Sequence, residues 1–106
     1  MKPVSLLLKF IAELVGTFIF IILIFTITSH ESGAHIVALP IGLALAVSIF
    51  LFGDISGGHF NPAVSFAMYI KNPKLFTGIM LLIYCIAQAL GGLLAYNAHT
   101  LIQSNF

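Results

Sequence analysis

The stretch SGGHFNPAV, Ser56 to Val64, sets two glycines, a histidine, an asparagine and a proline in the middle of a very apolar chain. Asn61 followed by Pro62 has the chemistry of a helix start. The carboxamide oxygen of Asn61 can accept an orphan backbone N–H, and proline suits the first helical position, where its missing N–H costs nothing. That leaves the Asn61 NH2 free to donate. A helix N-terminus also carries a partial positive charge, which counts for more where the dielectric is low and screening is weak. A positive end beside a neutral donor orients an oxygen acceptor and repels cations. An aspartate at this position would cancel the dipole and have nothing to donate, and a serine would offer a single rotatable hydroxyl.

The other polar residues point to no catalysis, so no enzyme activity is expected. His30, Glu31 and His35 mimic a metal motif, but the histidines are five residues apart rather than four, so one helical face does not present both to a zinc ion. No metal and no cofactor is expected. The single Cys85 lies in an apolar run where neither a disulfide nor a metal cluster can be built. A formal net charge of +1 carries no nucleic-acid signature.

The elements that must position the SGGHFNPAV stretch are membrane helices. Of 106 residues, 60% are hydrophobic and 7% charged, and the mean hydropathy is +1.15, far from the average of a soluble domain. Three apolar runs, Leu6 to Thr28, Ile36 to Phe52 and Leu75 to Tyr96, can each cross a hydrocarbon core of roughly 30 Å as a helix, the second at the lower limit of length. The first run is too long for a signal-peptide core and contains Glu13, so it reads as a retained span. The fold class is an all-α membrane protein of three transmembrane helices plus one re-entrant half-helix, with spans at about 6–28, 36–52 and 75–96 and the loop and half-helix at about 53–70. Asn61 to Ile70 would be about 15 Å long as a helix, half the bilayer core, so this segment enters and returns. Non-helical backbone at that depth must be buried in protein or line a wet cavity, and glycines let it turn tightly. With three crossings, Lys2, Lys9, Lys71 and Lys74 fall on one side, which places the N-terminus in the cytoplasm and the C-terminus on the opposite side.

ISGGHFNPAV resembles the first Asn-Pro-Ala loop of the aquaporin (major intrinsic protein) family, most of all its bacterial-type water channels. The resemblance continues in AELVGTF (Ala12 to Phe18), IGLALAV (Ile41 to Val47) and AQALGG (Ala87 to Gly92), like the family's first three helices, and covers the whole chain. It covers only the first of the family's two inverted repeats: the sequence holds no second Asn-Pro-Ala and no arginine for the narrow filter.

The resemblance implies roles only at matching positions. Asn61, Pro62 and Ala63 would form one of two contacts at the membrane midplane. The backbone carbonyls of Gly57, Gly58, His59 and Phe60 would line the inner vestibule as a ladder of acceptors. Ile41 matches a position of the narrow filter where water channels carry Phe and glycerol facilitators Trp, so it implies a wider, more apolar constriction. Ser65 stands where Thr is usual and keeps the hydroxyl. Glu13 would brace the loop by accepting its backbone N–H groups, the alternative being a snorkelling partner of Lys9, and Gln88 would hydrogen-bond the loop across helices. His59 either lines or gates the pore or fixes the loop by hydrogen bonding, and His99 rests at the outer interface. Ala38, Gly42 and Ala46, and again Ala87, Gly91 and Ala95, recur every fourth residue as small faces for close helix contact. Pro40 is placed to kink or open the second helix beside Ile41.

The implied function is passive passage of water or small neutral solutes through a half-channel that needs a complementary second repeat. The alternative is a non-conducting subunit that packs against a full-length relative and modulates it. Half of a secondary transporter is disfavoured because no coupling-ion carboxylate lies near the loop, Asp54 falling at the membrane edge. One-sided lysines argue against an antiparallel homodimer, so a fragment, a truncated product or half of a split protein is the expectation. The implied partners are the lipid bilayer, water or small neutral solutes, a second half or full-length homologue, and by resemblance a tetramer.

Overall fold

A serine starts the first helix: Ser5 Oγ accepts the Leu8 N–H at 3.1 Å and caps α1, Leu6–His30. The computed structural model describes residues 3–105, so Lys2, one of the four lysines used for orientation, and Phe106 lie outside the described residues. After α1 the Glu31 carboxylate accepts from the Ser32 and Gly33 N–H groups at 3.0 and 3.2 Å, which makes a tight link to α2, Ala34–Ser56. Two further helices follow, α3 at Pro62–Lys71 and α4 at Gly78–Asn105, and there is no strand among the described residues. The molecule is an all-helical membrane protein, with α1, α2 and α4 each long and apolar enough to cross a membrane. The ten residues of α3 make a rod of about 15 Å, half of that distance.

Apolar run and helix do not coincide in α2. The helix continues unbroken through Pro40 and past Phe52 to Ser56, so Gly53 to Ser56, which read as the start of the connection, form its last turn. It stops where Gly57 takes φ 92 and donates its N–H to the Gly53 carbonyl at 2.8 Å, a left-handed C-cap that glycine adopts without steric cost.

Packing centres on α1, which lies against both α2 and α4, while α2 and α4 do not approach backbone to backbone and meet through the Tyr84 hydroxyl on the Ser56 carbonyl, and α3 packs on α4. The two stripes of small residues have different fates. Ala87, Gly91 and Ala95 are buried in α4, and a Cβ on Gly91 would come 2.5 Å from the Leu14 carbonyl oxygen and 3.2 Å from the Phe18 nitrogen. Backbone therefore meets backbone between α4 and α1. In α2, Ala38, Gly42 and Ala46 are exposed, and a Cβ on Gly42 would meet nothing within 4 Å.

The distribution of polarity suits lipid. Glu13, Thr17, Ser48, Ser56, His59, Ser65 and Gln88 are buried, whereas Leu7, Leu39, Phe50, Leu75 and many other large apolar side chains are exposed. Polar groups in a bilayer need partners inside the protein, and Glu13, Ser56, His59, Ser65 and Gln88 form the hydrogen-bonded cluster that holds the short helix, while the Thr17 and Ser48 hydroxyls have no partner among the described residues.

Candidate functional site

Three residues between α2 and α3 have positive φ: Gly57 at 92°, Gly58 at 66° and Phe60 at 53°. For the two glycines this is free, but a left-handed Phe needs an outside force. Phe60 has two holds on α1. Its ring lies where a Cβ on Gly16 would be, so only glycine at position 16 admits it, and its N–H donates to Glu13 Oε1 at 2.9 Å.

Glu13 collects the loop. Its Oε2 accepts from the Ser56 hydroxyl at 2.6 Å and the His59 N–H at 3.0 Å, and its Oε1 accepts from the Phe60 N–H and from Gln88 Nε2, both at 2.9 Å. All four partners are donors, which suits an acceptor-only carboxylate. One side chain of α1 thus ties together the end of α2, two loop residues and α4. Ser56 Oγ in turn accepts the Gly58 N–H at 3.2 Å, and the Ser56 carbonyl accepts the Tyr84 O–H at 2.6 Å.

Gln88 Nε2 also donates to Ser65 Oγ at 2.9 Å, and that hydroxyl lies 2.9 Å from His59 Nδ1. With Gln88 filling one lone pair of Ser65, giving the hydroxyl proton to Nδ1 leaves the imidazole N–H on Nε2. The His59 ring packs on Phe76 and Tyr84 with centroids 5.0 Å from each, and those two rings meet edge to face at 4.8 Å. The loop is therefore fixed from the α1 side by hydrogen bonds, from α4 by the Tyr84 hydroxyl and ring, from the α3–α4 link by the Phe76 ring, and from α3 by the Ser65 hydroxyl.

What this scaffold holds out is the start of α3. Asn61 has φ −161° and caps the helix, its Oδ1 accepting the Ala63 N–H at 2.8 Å, with Pro62 at the first helical position and the first intrahelical bond from Ser65 N–H to the Asn61 carbonyl at 3.1 Å. Asn61, Pro62, Ala63 and Val64 are all exposed, and the Asn61 NH2 donates to no group among the described residues. A neutral donor and the positive end of a helix dipole thus share one exposed tip.

Loop residues face two cavities. Gly57 and His59, with Ser56 and Tyr84, line one of about 590 Å³ that Lys9 and Lys71 also line. Phe60 and Pro62, with Thr17, Cys85 and Gln88, line one of about 370 Å³. Gly58 is buried and lines neither. Ile41 is half-buried, lines neither cavity, and belongs to a helix whose backbone does not approach that of α3, so it stands apart from the Asn61 tip within this chain. His99 packs on Phe25 with centroids 5.3 Å apart, near the end of α4.

Three members of the cluster, Gly16, Ser56 and Tyr84, carry contacts that sequence reasoning did not assign. The available signal was weakest for Gly16, one glycine in an apolar helix. It was stronger for Tyr84, since a tyrosine hydroxyl inside a membrane-length run needs a partner.

A family model described as major intrinsic protein matches residues 1–105. The chain is 40% identical over 91 residues to glycerol uptake facilitator protein-like 6 of Lactiplantibacillus plantarum, a match covering 85% of this chain and 41% of that protein. It is 36% identical over 97 residues to aquaporin Z of Photorhabdus laumondii, covering 85% and 41%, and 45% identical over 87 residues to aquaporin-8 of Mus musculus, covering 79% and 33%. The chain thus spans less than half the length of each of these relatives. No solved structure matches it.

Proposed function

The chain belongs to the major intrinsic protein family, and on that premise we propose that it forms half of a passive transmembrane channel for water or small neutral solutes, contributing one of the pore's two half-helices. The observation that carries this reading is the Glu13 carboxylate, which holds His59 and Phe60 by their N–H groups so that the next residue, Asn61, caps an exposed helix start. A solute oxygen arriving there accepts from the Asn61 NH2 while the helix dipole repels cations. Aquaporin pores are the standing example of selectivity built from such donors and half-helix dipoles.

In this reading the buried groups position and the exposed tip acts. Glu13 and Gln88 are braces: Glu13 accepts from the loop N–H groups, and Gln88 donates to Glu13 and to Ser65 of α3. Gly57 and His59 line the approach from the lysine-bearing end and Phe60 the cavity on the other side, while the buried Gly58 serves the turn. Asn61, Pro62 and Ala63 form the constriction, and Ile41, which has nothing to donate, stands at the narrow filter and favours small neutral solutes over water alone. The open face of α2 and the exposed flanks of α3 favour a complementary repeat of opposite orientation as the missing wall. The lysine-bearing end faces the cytoplasm.

A chimera tests the proposal. This chain replaces the matching first repeat of the Photorhabdus aquaporin Z, the product is reconstituted in liposomes, and osmotic shrinkage is followed by light scattering. Accelerated shrinkage is the expected result, with the chain alone indistinguishable from empty liposomes. A chimera that inserts and folds yet conducts no better than empty liposomes contradicts the proposal and favours the non-conducting, modulating subunit.

A further inference from the structure

We propose that the 590 Å³ cavity at the lysine-bearing end is a binding site for a phosphate group, held at the rim by Lys9 of α1 and Lys71 of α3. Two lysines from different elements, Lys9 of α1 and Lys71 of α3, line one cavity. None of the chain's three carboxylates lines it. Glu31 sits in the link between α1 and α2, Asp54 is exposed on the last turn of α2, and the buried Glu13 carboxylate lies behind the lining residues Ser56 and His59, from which it accepts. The two lysines therefore have no acidic side chain beside them in the lining; an anion bound between them gains two attractions against the single opposing charge of Glu13 behind Ser56 and His59.

A third donor fits the same ligand. Asn72 also lines the cavity, and its Oδ1 accepts the Leu75 N–H at 3.2 Å, so its NH2 is the end left to donate. Two mobile point charges and one amide suit a tetrahedral dianion with several acceptor oxygens, and lysine binds phosphate as a point charge. The negative end of the α3 dipole opposes the anion, but it is a fraction of a charge against two full ones. The volume lies in the range of small-ligand sites, ample for a phosphate with an organic tail.

Two sources present this chemistry, a free phosphate or phosphomonoester in solution and the headgroup of an anionic lipid. Either would stand between the bulk phase and the loop residues Gly57 and His59, which line the same cavity. That obstruction matters only if the channel reading holds, whereas the binding itself does not depend on it.

The full chain in nanodiscs of zwitterionic phosphatidylcholine is titrated with inorganic phosphate by calorimetry. In parallel, phosphatidylglycerol retained over phosphatidylcholine is measured by native mass spectrometry from mixed nanodiscs. Each is repeated for K9Q, K71Q and K74Q, with helicity checked by circular dichroism. Lys74 is exposed near the same end but does not line the cavity, so it reports general attraction. Saturable phosphate binding that weakens about fivefold in K9Q and in K71Q, and less than about twofold in K74Q, supports the site and a soluble ligand. No phosphate binding, with phosphatidylglycerol retention lost in K9Q and K71Q but kept in K74Q, supports the site and a lipid headgroup. Absence of both, or equal losses in all three variants, overturns it.

Discussion

Four donors converge on the two oxygens of Glu13, and no other side chain among the described residues joins as many elements. Hydrogen bonds to a charged group contribute about 1.5–3 kcal/mol each where removal strands the partner. Glu13→Gln keeps the shape but turns an NH2 toward donors, so a loss of about 2–4 kcal/mol in unfolding free energy is expected, read as a lowered thermal midpoint in detergent. Tyr84→Phe removes only the O–H that the Ser56 carbonyl accepts and leaves the packing with His59 and Phe76 in place, so a smaller loss of about 1–2 kcal/mol is expected in the same assay. The difference tracks what the sequence displays. A carboxylate, a carboxamide and an Asn-Pro pair in apolar surroundings are legible because lipid offers them no partner. Ser56 was read only for the turn it adjoins, and the bond from Tyr84 crosses 28 residues without any periodic signal.

At the scale of elements, the approach of α4 to α1 depends on Gly91, whose Cβ position is blocked by the Leu14 backbone oxygen. Gly91→Ala must push two helices apart, and overpacking of that kind costs about 1–3 kcal/mol. Gly42→Ala in α2 meets open space and gains helix propensity, so its thermal midpoint is expected to stay level or rise slightly. Equal destabilisation by both substitutions contradicts the packing described. Sequence period alone cannot separate the two stripes, since both repeat every fourth residue and the neighbour decides which is filled. The three long helices were legible from apolar run length. The last turn of α2 was not, because Gly53 and Asp54 look like breakers while the helix in fact ends on the left-handed φ of Gly57.

For the whole molecule, polarity runs inward along the spans: many Leu, Ile, Val and Phe side chains are exposed, and the buried polar cluster is the braced loop. Lys9, Lys71 and Lys74 set the proposed orientation, so a phosphatase reporter fused after the C-terminal end of α4 is expected to be active on the non-cytoplasmic side, and a cytoplasmic signal contradicts it. As a member of the major intrinsic protein family that spans under half the length of its relatives, the chain presents a braced half-helix whose tip has one amide to give. The most direct measurement is the osmotic shrinkage rate of liposomes holding the aquaporin Z chimera, with Asn61 intact and with Asn61→Asp. The aspartate keeps the cap but cancels the dipole and has no NH2, so the expected result is a rate about tenfold lower at equal protein content, a barrier change of about 1.4 kcal/mol. An unchanged rate contradicts the orienting role of Asn61 and with it the account of the site.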